Sequence, residues 1–305
     1  MRNGLYCLLF LVFISCKKDK TPSGDKHLTK ITGYGGTPFY VDFSYDGSGR
    51  LTSQTATQGT NPPIVFTQIG YTGNEIAITY PRDPSTIQNS TKYQLDANNR
   101  PIKRTYTSFE DFSSGAAFGP EHHYGNETTN YEYNAGGSVF RYTGLKKDSM
   151  SYYPAANVIQ YSTNTISYTA TYEFEAGNVK SVTRTLQQSY WATEQPGSTY
   201  TIQTTVEETT VFFYDKKYPN QFDFKNAFLF REIEILPFPL YMPDKSFTNF
   251  PNKAVTTRIT KNGAGAVLST DVSTEETELN FDREGFISGR NADPANKQVF
   301  SYNRF

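Results

Sequence analysis

Three histidines occur in the chain, and two of them are adjacent, in the stretch PEHHYGNE. Glu121, His122 and His123 are residue types that bind zinc. In an extended segment, however, neighbouring side chains point to opposite faces, so the two imidazoles do not share one ion. Glu121 and His123 can lie on one face, but two ligands are too few for a tetrahedral site. The expectation is a solvent-exposed loop with no metal. Asp46, Asp96 and Asp282 raise the possibility of paired acids for hydrolysis. Each occupies the same place in a recurring unit, FSYDGSGRL, YQLDANNRPI or LNFDREGFI. An aspartate there accepts backbone N–H groups in a turn, which explains all three without catalysis. One carboxylate per turn also gives calcium too few oxygens. No GxSxG, HExxH, phosphate loop or dinucleotide fingerprint occurs, so no catalytic residue and no cofactor is expected.

Aromatic side chains offer a different chemistry. The chain has 23 Tyr, 23 Phe and a single Trp, Trp191. Tyr152, Tyr153, Tyr190, Trp191 and the run from Phe238 to Phe250 could stack on sugar rings if exposed. Most of the Tyr and Phe must instead line the buried face of a sheet. Trp191 lies in QQSYWATEQPG, which reads as the neighbourhood of a turn.

The recurring unit sets the architecture. In FSYDGSGRL, period two places Val41, Phe43 and Tyr45 on one face of a strand. Asp46 fits the first position of a type I turn, and Gly49 the left-handed position that forms a bulge. The same pairs recur as Asp96 and Asn99, Asn134 and Gly137, and Asp282 and Gly285. Asn99 fits because asparagine tolerates positive φ better than most residues. Glu175-Ala176-Gly177 is one residue shorter and must close differently. Further strands are expected at Ile64–Gln68, Glu75–Tyr80, Thr165–Thr171, Thr199–Tyr214, Ala254–Lys261 and Val299–Asn303. Only Lys225–Ile235 has a helix-like pattern. The Pro-rich run at 236–251 cannot be interior strand, because proline lacks the ladder donor. Residues 216–253 therefore read as a long excursion from the sheet.

These elements predict an all-β fold: a large antiparallel meander of hairpins, forming a curved sheet or open barrel. Membrane-spanning strands need about 9–11 residues with a continuous apolar outward face. Most strands here look shorter, interrupted by turns or charges. Thr201–Thr210 is long enough but polar on both faces. A water-soluble domain is the expectation.

The net charge of −1 argues against a nucleic-acid partner, which would favour a basic face. Arg2 precedes the apolar run Leu5 to Ile14, which has signal-peptide length. The expected organisation is a signal peptide at 1–15, a lipidated Cys16 with a flexible tether at 16–27, and one domain at 28–305. FISC, residues 13–16, resembles the bacterial lipobox. That resemblance implies cleavage before Cys16 and acylation of its thiol and new amino group. Cys7 leaves with the signal, so no thiol remains for a disulfide or for catalysis. Asp19 stands among lysines, so the side of the outer membrane stays open.

Tyr45–Leu51, YDGSGRL, resembles the YD repeat of Rhs-type proteins. With the lipobox, the degenerate hairpins and YDKKYPNQF at 214–222, the chain resembles a family of uncharacterised Bacteroidota lipoproteins. The resemblance implies a porin-like antiparallel β fold and an outer-membrane location through the lipid. It implies no activity or catalytic residue. Asp148-Ser149-Met150 resembles the three-residue O-glycosylation signal of exported Bacteroidota proteins. The function expected first is a non-enzymatic structural or interaction protein of the envelope. A carbohydrate-binding accessory lipoprotein comes second, and a glycan hydrolase third.

Overall fold

The computed structural model describes residues 26–34, 39–81, 87–112, 121–155, 158–195, 198–215, 218–219, 249–276, 278–283, 287–291 and 297–304. Among them are β1 (Lys26–Tyr34), β2 (Phe39–Tyr45), β3 (Leu51–Gln58), β4 (Ile64–Thr72), β5 (Glu75–Thr79), β6 (Ile87–Leu95) and β7 (Pro101–Phe112). There follow β8 (Glu121–Tyr133), β9 (Val139–Ala155), β10 (Val158–Glu175), β11 (Asn178–Gln195) and β12 (Ser198–Phe213). The rest are β13 (Tyr218–Pro219), β14 (Asn249–Phe250), β15 (Lys253–Asn262), β16 (Val267–Glu276), β17 (Glu278–Phe281), β18 (Ile287–Asn291) and β19 (Lys297–Arg304). β1 starts within the stretch expected as tether. Cys16, Gly285 and Lys225–Ile235 lie outside the described residues.

Seventeen strands form one antiparallel sheet. Each strand from β1 to β12 pairs with the next. β12 then pairs with β15 and β15 with β16, while β17 pairs with β18, β18 with β19, and β19 with β1. One residue separates β16 from β17, so the chain itself carries the wall across and the ring is nearly closed. β13 and β14 form a two-residue bridge that ties together the ends of the 220–248 excursion.

The turns are built as their residues dictate. Oδ1 of Asp46 accepts the N–H groups of Ser48 at 2.9 Å and Arg50 at 3.0 Å, and the backbone closes from Gly49 N to Asp46 O. Asp96 repeats this with Asn98 and Arg100, and Asn134 with Ser138. Gly49, Asn99 and Gly137 have φ of 74°, 59° and 87°. Backbone and side-chain hydrogen bonds from Arg50 hold the Asp46 carboxyl below its ordinary range. The shorter loop closes through Ala176 and Gly177, both at positive φ, the pattern of a type I′ turn. A further turn of the Asp46 kind, not anticipated, joins β15 to β16. Asn262 Oδ1 accepts from Ala264 and Ala266, and Gly265 supplies the positive φ.

Strand length departs from expectation. β9 to β11 run 17, 18 and 18 residues, while β12, at 16, matches the strand expected at Thr199–Tyr214. The charges thought to interrupt them find partners instead. Arg184 meets Glu208, and Lys261 meets Glu207, across neighbouring strands; Lys146 meets Asp148 along its own. β7 to β12 therefore form a tall wall, while β2 to β5 and β17 to β19 are short.

Residues directly opposite in a ladder share a face. The fully buried Tyr93 thereby marks a row through Arg104, Thr129, Gly144, Tyr168 and Leu186 as inward. One apolar cluster fills the ring on the short side, with Leu28, Phe43, Ile76, Tyr93, Phe250 and Phe300 at its centre. A second, around Tyr131, Tyr142, Tyr172 and Val182, lies against the base of the tall wall. Two inward glycines are covered by the aromatic ring opposite them. Phe39 lies over Gly33 and Tyr168 over Gly144, each where a Cβ would stand. Tyr168 so placed donates to Glu127 and bonds Thr129.

Most outward positions of the tall wall are polar, set among the exposed apolar side chains of Tyr124, Leu145, Tyr161, Trp191 and Val211. β10 presents Thr163, Thr165, Ser167 and Thr169, and β12 presents Thr201, Gln203, Thr205 and Glu207.

Candidate functional site

The expected aromatic set does not form one surface. Trp191 and Tyr190 sit within β11, which continues to Gln195 before the chain reverses into β12. Being adjacent, they face opposite ways. Tyr190 points inward beside Tyr200, with ring centroids 6.0 Å apart, and Trp191 points outward, 37% exposed. Tyr152 and Tyr153 lie on β9, but their side chains are outside those described. Glu121-His122-His123 opens β8 instead of forming a loop. His122 Nδ1 stands 3.4 Å from Asp111 Oδ1. Among the described residues, no three metal-ligating side chains come together.

The ladder register assembles a different site. Across the outer face of the tall wall, Gln88, Phe109, Tyr124, Ser149, Thr163, Trp191 and Thr201 form one continuous row from β6 to β12. The next row reads Ser90, Thr107, Asn126, Lys147, Thr165, Ser189 and Gln203. Over β6 to β9 these rows line a groove of about 620 Å3. Phe109 and Tyr124 form its aromatic edge, 5.0 Å apart and tilted at 43°. Tyr124 is 55% exposed, so its ring presents a face to solvent. His122 stacks on the far side of Phe109, at 6.4 Å and 15°. Gln88, Asn126, Lys147 and Ser149 surround the rings with amide, ammonium and hydroxyl groups. A second hollow of about 380 Å3 continues the surface over β10 to β12, between Thr165, Gln187, Ser189 and Gln203.

No protein-family model matches the chain, and no curated protein does either. Solved structures similar to it include two porin-like proteins. One is a porin-like protein from Bacteroides vulgatus, 15% identical, with a TM-score of 0.44, covering 92% of this chain and 100% of its own. The other is a porin-like protein from Bacteroides uniformis, 10% identical, with a TM-score of 0.44, covering 90% of this chain and 98% of its own. Function therefore rests on this chain's own residues.

On the inner face, a hollow of about 200 Å3 holds Arg184, Glu208, Arg258, Ser273 and Glu275. Glu208 accepts from Arg184 Nη1 at 3.1 Å through one oxygen and from Arg258 Nη2 at 2.7 Å through the other. Guanidinium groups thus clamp this carboxylate on both oxygens, in charge-assisted hydrogen bonds. Elsewhere, burial pushes the phenols of Tyr45 and Tyr214 up. Both donate to backbone carbonyls, of Leu28 and Val179, and so serve the fold.

Phe109 and Tyr124 were not singled out by sequence reasoning. The only signal was parity: both stand at outward positions of strands whose relative register the sequence does not reveal.

Proposed function

We propose that this chain is a lipid-anchored protein of the bacterial envelope that binds glycans without processing them. The groove beside Phe109 and Tyr124 carries the reading. An exposed aromatic pair gives a sugar ring an apolar platform. Amide and hydroxyl groups at Gln88, Asn126 and Ser149 supply the directional hydrogen bonds that a few polar groups add to such a site. The polar outward rows of β10 and β12 support a wall that faces water, because lipid-facing strands require an apolar band. The anchor rests on FISC and Cys16.

Two experiments test the parts separately. Cells fed labelled palmitate should label the full chain, and Cys16→Ala should remove the label; equal labelling of both would end the anchor reading. The full chain from solubilised membranes should bind members of a bacterial and plant glycan panel by calorimetry. Tyr124→Ala is then expected to weaken binding about tenfold, equivalent to about 1.4 kcal/mol. Its unfolding free energy should stay within about 0.5 kcal/mol of the parent, as for surface substitutions generally. Absence of binding across the panel, or unchanged affinity in Tyr124→Ala, would remove the glycan reading.

A further inference from the structure

The three most exposed large apolar side chains among the described residues all lie on β16: Val272 at 66%, Leu268 at 60% and Val267 at 59%. All ten residues of this strand are exposed. The cause is topological. β16 has one described ladder partner, β15, and the neighbouring strand, β17, belongs to the same stretch of chain displaced along it. Among the described residues, the opposite edge of β16 has no ladder partner, and such a row of backbone donors and acceptors is one that natural sheets normally cover or blunt.

We propose that this edge pairs with β16 of a second copy of the chain, antiparallel about a two-fold axis at Val272. The sequence VLSTDVSTEE selects the occupant and the register. Inward positions follow from Asp271, which lies opposite the inward Arg258; a two-fold axis normal to the sheet keeps inward residues facing inward ones. Centred on Asp271, the pairing would stack two carboxylates. Centred on Ser273, it would set Asp271 against Glu275. Centred on Thr270, it would run into the register irregularity between Ser269 and Val267. Centred on Val272, Asp271 meets Ser273, Glu275 meets Ser269, Thr270 meets Thr274, and the most exposed valine meets its own copy. Asp271 and Glu275 then each face a hydroxyl, Glu276 faces Leu268, and like charges directly opposite are avoided. Such an interface is isologous and closes at two copies. Its small size puts it in the weak class of associations, which confinement to one membrane would favour.

Cysteine scanning of the full chain in membrane vesicles tests this. Antiparallel partners lie about 4.5–5.5 Å apart at Cα, within the span a disulfide bridges. Under mild oxidation, Val272→Cys should form a cross-linked homodimer in high yield. Ile64→Cys, at a position 56% exposed on β4, should stay at the background of the parent chain. Thr270→Cys and Thr274→Cys should cross-link when co-expressed, and neither alone. The proposal is overturned if Val272→Cys links no better than Ile64→Cys, if Thr270→Cys alone links best, or if Val272→Cys links to a different protein.

Discussion

Glu208→Ala is expected to lower the stability of the full chain by about 3–5 kcal/mol, the range for breaking a buried ion pair from one side. The glutamate side chain is only 9% exposed and lies between two arginines. These arginines are not equivalent. Arg184 is 18% exposed and Arg258 is 56% exposed. Deleting the carboxylate takes the ion-pair partner from the half-buried Arg184 guanidinium inside the wall, whereas Arg258 can turn to water. Arg258→Ala should therefore cost no more than about 1 kcal/mol, as for an exposed pair. The joint replacement Arg184→Met with Glu208→Leu should recover most of the loss, since it removes both buried charges together. Urea titrations followed by tyrosine and tryptophan fluorescence measure all three. If Glu208→Ala and Arg258→Ala cost the same, the buried partner is not Arg184 and the account of the inner hollow fails.

Turn chemistry was readable from sequence because it is local. Asp46 and Gly49, or Asp96 and Asn99, need only each other and the N–H groups between them. Asn262 and Gly265 make the same turn, yet they escaped notice because no aromatic alternation precedes them. Strand length was misjudged for a non-local reason. Along β9 to β11 the charges are balanced by residues far apart in sequence, as Arg184 is by its cross-strand partner Glu208, and the strands run through them. The groove was hidden in the same way. Tyr124, Ser149, Thr163 and Trp191 come from four strands and meet only once the register is fixed. Trp191 did draw attention, but paired with Tyr190, its neighbour in sequence, which faces the opposite way. Its true neighbours in the row were the informative ones.

Phe250→Ala tests how the excursion between β12 and β15 is tied to the barrel. The chain leaves the wall after Phe213 and returns at β14, where Phe250 is 2% exposed and belongs to the larger apolar cluster. Polar contacts fix the same place. Asn249 N–H donates to Asn178 Oδ1 at 2.8 Å, and Asn252 N–H donates to the Phe213 carbonyl at 3.0 Å. These bonds orient the segment, but the phenyl ring supplies the burial, and truncating a core Phe costs about 3–5 kcal/mol in transfer and cavity terms together. Phe250→Leu keeps most of the volume and should cost less than about 1.5 kcal/mol, as conservative apolar exchanges do. Asn249→Ala retains the backbone donor and should be nearly neutral. The expected order in urea midpoint is parent, Asn249→Ala, Phe250→Leu, then Phe250→Ala, with the denaturant slope unchanged. A cost below about 1 kcal/mol for Phe250→Ala would mean that the return strand rests on the surface of the barrel and that the core is complete without it.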